Sequence, residues 1–168
     1  MTTLESPLEI SIPLITITSP TLAVPLLQNG YQDRIAACIA DWSLKSPHNI
    51  TQTPQDILDS WEQWIILAHA INHQVAAVCR SVPHAGNWRE MASLMVDPLL
   101  QNTLVSKRLF HQFTDGTQTQ NFAIVQASNT PAKKFFTKMG AEESDQFPAP
   151  IRETQRDTKD RVCFVWQA

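Results

Sequence analysis

The sequence predicts an α/β (α+β) fold with a mixed central sheet of six to seven strands flanked by about four helices. Its 168 residues are the size of one domain, and its 43% hydrophobic and 17% charged residues lie in the globular range. Residues 88–140 read as strand, helix, strand and helix, an order that predicts parallel strands with helices packed on the sheet. We therefore expect a single domain over residues 1–168.

The first elements follow from residue type and helical spacing. Residues 8–18 are rich in β-branched side chains, which favours an extended segment. A helix is expected from about Leu26 or Tyr31 to Trp42, because apolar residues recur there at positions i, i+4 and i+7. Thr53 can then cap a second helix that starts with a proline.

The pattern leaves the end of the second helix open. Residues 65–71 could extend it. A strand is favoured, since Asn72-His73 resembles a two-residue turn and residues 74–82 form a second β-rich run. We expect a hairpin here, followed by a further turn over residues 83–87.

The strand 88–96 is expected to send alternate side chains to opposite faces of the sheet. One face then carries Glu90, Ala92, Leu94 and Val96, and the other carries Met91, Ser93 and Met95.

The central stretch continues with a helix over 103–113, a buried strand over 121–127 and a helix over 131–139. Asn129 or Thr130 can cap the last helix, and Gly140 is placed to end it. The remainder predicts a short segment over 141–147, a proline-containing loop and a final strand over 161–166.

Composition argues against several classes of protein. A net charge of −3 and a pI near 5.9 disfavour a general nucleic-acid binder. No apolar run approaches the roughly 20 residues of a membrane span, and no signal peptide is recognisable, so a cytoplasmic location is expected. The three cysteines include no CxxC pair, which predicts reduced thiols. His69 and His73 have no evident third ligand, so no metal is expected.

The central stretch also carries a family pattern, and it resembles the GCN5-related N-acetyltransferases (the GNAT family). The matching residues are Val96-Asp97-Pro98, Gln101, Leu109-Phe110, Asn129, Ala132, Phe135-Phe136 and Lys138-Met139-Gly140-Ala141. The resemblance implies a GNAT-like acyl-CoA N-acyltransferase fold, in which acetyl-CoA binds between two splayed parallel strands.

The resemblance also implies positions for the cofactor. Leu94, Met95 and Val96 would pair with the pantetheine arm through their backbone, and Asn129 would hydrogen-bond the same arm. The pyrophosphate would lie on the turn formed by Gln101, Asn102, Thr103, Leu104, Val105 and Ser106, where orphan amides favour an anion. Phe136 would also border the cofactor. Lys107 could contact the phosphates, as could Arg108, Lys133 and Lys134, although solvated surface cations are the commoner explanation.

Two residues depart from the family pattern. Leu104 stands where the phosphate turn has its first glycine, and it would crowd the phosphate unless its side chain turns toward the core. Phe136 stands where many members have a tyrosine that protonates the departing thiolate. One alternative is that another acid, such as Cys163, Ser128 or water, protonates the thiolate. The other is that no acid is needed, because a CoA thiolate is a tolerable leaving group.

Glu90 is the candidate general base, because a carboxylate beside the cofactor strand could take a proton from the attacking amine. A solvated strand residue is the competing interpretation. Tyr31 and Trp88 are candidate acceptor contacts. The expected activity is direct acetyl transfer from acetyl-CoA to a small-molecule or peptide amine, with no nucleic acid or membrane partner and with a homodimer possible.

Two rival hypotheses stay open. One is a non-catalytic GNAT-like domain that binds CoA or a protein partner. The other is an unrelated α/β domain, which would lack a V-shaped gap between the strands 88–96 and 121–127.

Overall fold

The structure, a computed structural model, describes residues 13–18, 30–101, 104–115, 118–154 and 157–168. The strands are β1 (Leu14–Thr18), β2 (Trp64–His69), β3 (Val75–His84), β4 (Trp88–Val96), β5 (Gln120–Gln126), β6 (Glu142–Ser144) and β7 (Arg161–Gln167). The α-helices are α1 (Tyr31–Lys45), α2 (Pro54–Asp59), α3 (Val105–Thr114), α4 (Thr130–Lys138) and α5 (Ala149–Glu153). Short 3-10 turns cover Trp61–Gln63 and Pro98–Leu100.

The seven strands form one mixed sheet in the order β1-β2-β3-β4-β5-β7-β6. Neighbouring strands are antiparallel except for β4 and β5, which are parallel. The expected hairpin is confirmed, because β2 follows a 3-10 turn and pairs with β3. No helix in the described ranges is long and apolar enough to cross a bilayer.

Strands β4 and β5 pair over a short distance and then separate. Their register runs from Trp88 opposite Gln120 to Glu90 opposite Phe122 and stops there. We call the gap between residues 91–96 of β4 and 123–126 of β5 the wedge, and its apex is the Glu90–Phe122 position. Strand β5 remains paired with β7 along its length, so the separation occurs on the β4 side alone.

The sheet buries apolar residues on both faces. Alternate residues of β2 divide between two clusters, which identifies them as opposite faces: Ile65 and Leu67 join one, Trp64 and Ile66 the other. The first cluster includes Leu109 of α3 and residues of α4, so we call that side the α3/α4 face. Helices α1 and α2 cover part of the other side.

Helix α5 completes the cover of that second side. Its Ile151 packs with Phe122 of β5 and Cys163 of β7. Phe122 and Cys163 alternate with Ala123 and Phe164, which join the α3/α4 cluster. We call the side covered by α1, α2 and α5 the α1/α5 face. The prediction of a loop over this part of the chain is wrong, because a five-residue helix is too short to produce a recognisable period.

Several helix boundaries differ from those expected. Helix α1 begins at Tyr31, after Gly30 in a left-handed conformation, and the alternative start at Leu26 lies outside the described residues. The Thr53 cap is confirmed, with Thr53 and Asp56 forming a reciprocal capping box. Helix α2 ends at Asp59 because the chain tightens into a 3-10 turn before β2.

The expected alternation along β4 is wrong beyond Ser93. On β3, Arg80 lies opposite Ala92 and Val78 opposite Met95, so β4 contains one extra residue. Ser93 has a φ of 52°, the left-handed region that one type of β-bulge uses.

The bulge exchanges the faces of the residues that follow it. Leu94 and Val96 pack on the α3/α4 face together with Met91, whereas Met95 is buried on the α1/α5 face. Glu90 and Val96 therefore point to opposite faces, contrary to the expectation that they share one.

Ser93 provides a test of the bulge. Ser93→Val is expected to lower the free energy of unfolding by about 1–3 kcal/mol, because a β-branched residue is strained at positive φ. Ser93→Gly is the matched control. Glycine relieves the strain at positive φ but removes the serine hydroxyl. These two effects oppose each other, so the free energy of unfolding of Ser93→Gly should stay within about 1 kcal/mol of the wild type. Urea unfolding followed by circular dichroism measures both, and equal stability of the two variants would contradict the bulge.

Candidate functional site

Glu90 lies at the apex of the wedge, below the surface. The residue is only 3% exposed, and its Oε2 is 2.9 Å from Nε2 of His84. On the antiparallel β3–β4 pair, His84 lies opposite Trp88 and Val82 opposite Glu90, so His84 and Glu90 are diagonal neighbours on one face. The interpretation of Glu90 as a solvated strand residue is therefore wrong. We call these two side chains the His84–Glu90 pair.

Aromatic rings and one thiol surround this pair on the α1/α5 face. The His84 ring lies 5.4 Å from the Phe122 ring, and Trp88 meets Phe122 edge-on at 5.8 Å. Cys163 of β7 is fully buried, and its pKa is raised to about 12 by burial and then by the charge of Glu90. Cys163 holds its proton too tightly to act as the acid that protonates a thiolate. Trp88 is half-buried beside the pair, where an acceptor contact remains a prediction.

The β4 side of the wedge is formed by backbone more than by side chains. Leu94 and Val96 are half-buried against the α3/α4 cluster, and Met95 is 6% exposed on the other face. With these side chains packed away, the strand edge toward β5 is backbone, and no described strand pairs with it beyond Glu90. An extended ligand could add to that edge as a strand would.

The turn at the open end of the wedge leads into α3. The Asp97 side chain accepts a hydrogen bond from the Leu99 amide at 2.9 Å, which forms the 3-10 turn. Gln101 is exposed, and Asn102 and Thr103 lie outside the described residues. Leu104 occupies the N-cap position of α3, where its apolar side chain provides no capping hydrogen bond.

Leu104 is 57% exposed, so the alternative in which its side chain turns into the core is wrong. The next positions differ from one another: Val105 is buried, Ser106 is half-buried and Lys107 is exposed. Lys107 and Arg108 thus both present charged side chains at the exposed side of the first turn of α3.

Two of the other three candidate cations have structural partners. Arg108 donates through Nη2 to the carbonyl of Leu14 at 2.8 Å, which ties α3 to strand β1. Lys133 donates to the carbonyl of Ala127 at 3.2 Å. Lys134 is exposed on α4.

Asn129 and Phe136 lie on the second half of the family pattern. Asn129 caps α4, with its Oδ1 accepting from the Ala132 amide at 3.2 Å, so its amide nitrogen is the group left for a ligand. Phe136 is 3% exposed and stacks on Phe164 at 5.5 Å between ring centroids. An aromatic cluster encloses its ring, and a position of Phe136 beside the cofactor stays a prediction.

Tyr31 lies in the core of the α1/α5 face. The residue is 7% exposed, and its hydroxyl donates to the His73 carbonyl at 2.5 Å. Burial raises the pKa of this hydroxyl, with Arg34 opposing. Packing explains the ring and a backbone carbonyl accepts from the hydroxyl, so Tyr31 as an acceptor contact stays a prediction.

The loop between α1 and α2 reaches both arms of the wedge. Its Gln52 donates through Nε2 to the Ser93 hydroxyl of β4 at 3.2 Å. Its His48 Nδ1 lies 3.0 Å from Oε1 of Gln126 at the end of β5. Gln52 Oε1 is buried with no hydrogen-bond partner among the described residues. We call residues 46–53 the α1–α2 strap.

Sequence reasoning missed His84 and the strap. A histidine in a proline–glycine turn and polar residues in a loop look solvated, and their partners lie far along the chain. Knowledge of the β3–β4 register could have found His84, because it places that residue diagonally from Glu90. No comparable signal exists for His48. No group of three or more His, Cys, Asp or Glu side chains that could hold a metal ion occurs within the part of the chain that the structure describes.

Sequence comparison finds no matching family model and no curated protein with significant similarity. Solved structures do match. An acetyltransferase of the GNAT family from Staphylococcus aureus Mu50 aligns with a TM-score of 0.65 and 11% identity, over 90% of this chain and 97% of that one. The chain has the GNAT fold.

Two further GNAT-fold matches extend the comparison. N-acetylglutamate synthase from Neisseria gonorrhoeae, complexed with coenzyme A and N-acetyl-glutamate, has a TM-score of 0.68 and 17% identity over 90% of this chain. This chain spans only 34% of that enzyme's length. Ard1 from Thermoplasma volcanium has a TM-score of 0.65 and 13% identity, over 92% of this chain and 95% of its own.

Burial of the thiols gives a direct test of the site's interior. Cys79 and Cys163 are fully buried and Cys38 is partly exposed, so a native-state titration with Ellman's reagent is expected to modify Cys38 alone. Burial, and after it the charge of Asp41, raises the pKa of Cys38. The rate at which the reagent modifies Cys38 should therefore continue to increase with pH above the range in which an ordinary thiol ionises. Cys38→Ser should abolish native labelling, and unfolding should expose every remaining thiol. Native labelling of Cys163 would contradict the burial of the apex.

Proposed function

We propose that this chain is an acetyl-CoA-dependent N-acetyltransferase that transfers the acetyl group directly to an amine. The observation that carries the proposal is the wedge, because β4 and β5 stop pairing at Glu90 and Phe122. The wedge leaves a strand edge beside the N-terminus of α3. A strand edge suits the amide groups of a pantetheine arm, and a helix N-terminus suits a pyrophosphate.

Acetyl-CoA supplies an acetyl group already activated as a thioester. The backbone of Leu94, Met95 and Val96 would hold and orient the extended arm. The Met95 and Val96 amides would polarise the acyl carbonyl, because donors aimed at a developing negative charge stabilise the transition state. Holding the amine and the thioester together would further increase the rate of acetyl transfer, because the two groups no longer have to meet by diffusion.

Further along the wedge, residues at the starts of two helices would hold the rest of the cofactor. The turn from Gln101 to Ser106 and the exposed Lys107 would receive the phosphates. Asn129 would donate from its amide nitrogen, because its oxygen already caps α4.

The matched structures support a CoA-type donor. The neisserial enzyme was solved with coenzyme A, and several of the other matched proteins are acetyltransferases. Identities of 11–17% support the fold and leave the acceptor open, so the acceptor class is taken from the chemistry alone: a small-molecule or peptide amine.

A second candidate is a non-catalytic GNAT-like domain that binds CoA or a protein partner. The exposed Leu104 favours it, since a bulky side chain stands beside the proposed phosphate position. The buried Phe136 also favours it, because this ring has no proton to give.

Thermal unfolding with acetyl-CoA tests the donor site. Acetyl-CoA at about 100 times its Kd should stabilise the chain by ~2.7 kcal/mol, which raises the Tm of a protein of this size by several degrees. ADP at the same concentration is the control for weak nucleotide binding. The absence of a shift at millimolar acetyl-CoA would remove the proposed function.

If acetyl-CoA binds, release of free thiol across a panel of amines tests catalysis. The panel should contain amino acids, peptides with free N-termini and polyamines. Amine-dependent thiol release supports the acetyltransferase. Binding without amine-dependent release from any of them would favour the non-catalytic alternative.

Leu104→Gly is expected to tighten acetyl-CoA binding by about tenfold, or ~1.4 kcal/mol, because glycine lets a phosphate approach the backbone. Glycine is also a better N-cap than leucine, so helix α3 should not be weakened. Leu99→Gly is the matched control, since Leu99 is 89% exposed on the same turn. Isothermal titration calorimetry measures both variants. Equal affinity of the two would show that Leu104 does not obstruct the phosphates.

A further inference from the structure

We propose that His84 is the residue that takes the proton from the attacking amine, and that Glu90 is its positioning residue. This inference rests on the proposed function and assigns the proton transfer within it. It replaces the simpler expectation that the Glu90 carboxylate acts on the amine itself.

Burial separates the two roles. The Glu90 side chain is 4% exposed and the His84 side chain 19%, so the imidazole is the more accessible member of the pair. An incoming amine can therefore reach the imidazole more readily than the carboxylate, and we assign the proton transfer to the ring.

The hydrogen bond also selects the reactive nitrogen. A carboxylate only accepts hydrogen bonds, so the 2.9 Å contact places the imidazole proton on Nε2. The neutral ring then carries its lone pair on Nδ1. No second hydrogen bond of the His84 ring occurs among the described residues, which leaves Nδ1 available as a proton acceptor.

The surroundings hold the ring in place. Phe122 packs against the His84 ring at 5.4 Å, and Trp88 packs against Phe122 in turn. Cys163 also faces Glu90, and it stays protonated because its pKa is raised to about 12 by burial and by Glu90. Cys163 therefore brings no charge that would compete with the imidazole for the carboxylate.

The His84–Glu90 pair lies at the apex of the wedge, where the proposed reaction would occur. Glu90 is the last residue of β4 that pairs with β5, so the His84–Glu90 pair lies where the two arms meet. Both side chains are on the α1/α5 face, opposite the face on which Leu94 and Val96 pack. An amine that approaches the apex from the α1/α5 face meets His84 first.

In the proposed step, one bond forms, one bond breaks and one proton moves to His84. The amine nitrogen forms a bond to the acyl carbon, and the carbon–sulfur bond breaks with its electron pair remaining on sulfur. The proton that leaves the nitrogen goes to His84 Nδ1, and the Glu90 carboxylate stabilises the imidazolium. Loss of that proton to water restores the neutral ring.

Steady-state kinetics of variants test the assignment. His84→Ala should lower kcat by about 10²–10⁴-fold while the Kd for acetyl-CoA stays unchanged. Added imidazole should restore part of this activity in His84→Ala. His84→Gln, which fills the space, should be equally slow and should not respond. His111→Ala is the control for removal of an exposed histidine elsewhere.

Glu90→Gln should lower kcat by about tenfold or more, and the double variant should lose little beyond His84→Ala alone, since the two residues act as a unit. Nitrogen NMR of the imidazole provides a measurement independent of turnover, with Nε2 protonated and Nδ1 bare in the wild type. A proton on Nδ1 of the neutral ring would overturn the proposal, as would a His84→Ala kcat within about threefold of the wild type. Failure of the wild type to bind acetyl-CoA would instead remove the proposed function, and this inference with it.

Discussion

Strand β4 remains paired with β3 to its end but leaves β5 after Glu90, and the arrangement of the site depends on this difference. Hydrogen bonds to β3 hold β4 in the sheet. The separation from β5 therefore removes strand-to-strand hydrogen bonds from only one edge of β4. The bulge at Ser93 then turns the following side chains, which places Met95 on one face and Leu94 and Val96 on the other. The β4 edge of the wedge is thereby left as backbone.

Local patterns predicted much of this fold. The capping box at Thr53, the β2–β3 hairpin and the helix between Asn129 and Gly140 are each decided by residues close in sequence, and each was predicted correctly. The two-residue turn at Asn72-His73 was wrong, because five residues connect the two strands. The bulge could not be predicted from β4 alone, because it is a mismatch in length between two strands. One inserted residue was enough to make wrong the expectation that Glu90 and Val96 share a face.

The site was less predictable than the fold. Glu90 was recognised as a carboxylate near the cofactor strand, but its burial and its partner depend on the β3–β4 register. Conversely, Phe136 of α4 and Tyr31 were chosen by residue type and position, and the structure buries both side chains in the core. A pattern of residue types reports what a chain contains, whereas burial decides which of those groups a ligand can reach.

Phe136 illustrates how packing can replace a chemical group. Its ring is enclosed by Phe110, Phe164 and Trp166, with the nearest stacking at 5.5 Å. A hydroxyl buried among these rings without a hydrogen bond would cost about 1–3 kcal/mol. Phenylalanine at this position therefore suits the aromatic cluster better than tyrosine.

The α1–α2 strap has a consequence for how the two arms of the wedge respond to a ligand. Because Gln52 bonds to β4 and His48 to β5, the strap senses the distance between the arms. A ligand that spreads the arms must strain or exchange those bonds, and loosening the strap must in turn make spreading easier. Such reciprocity is a thermodynamic linkage, so the separation of the two arms and the freedom of the strap share one coupling free energy.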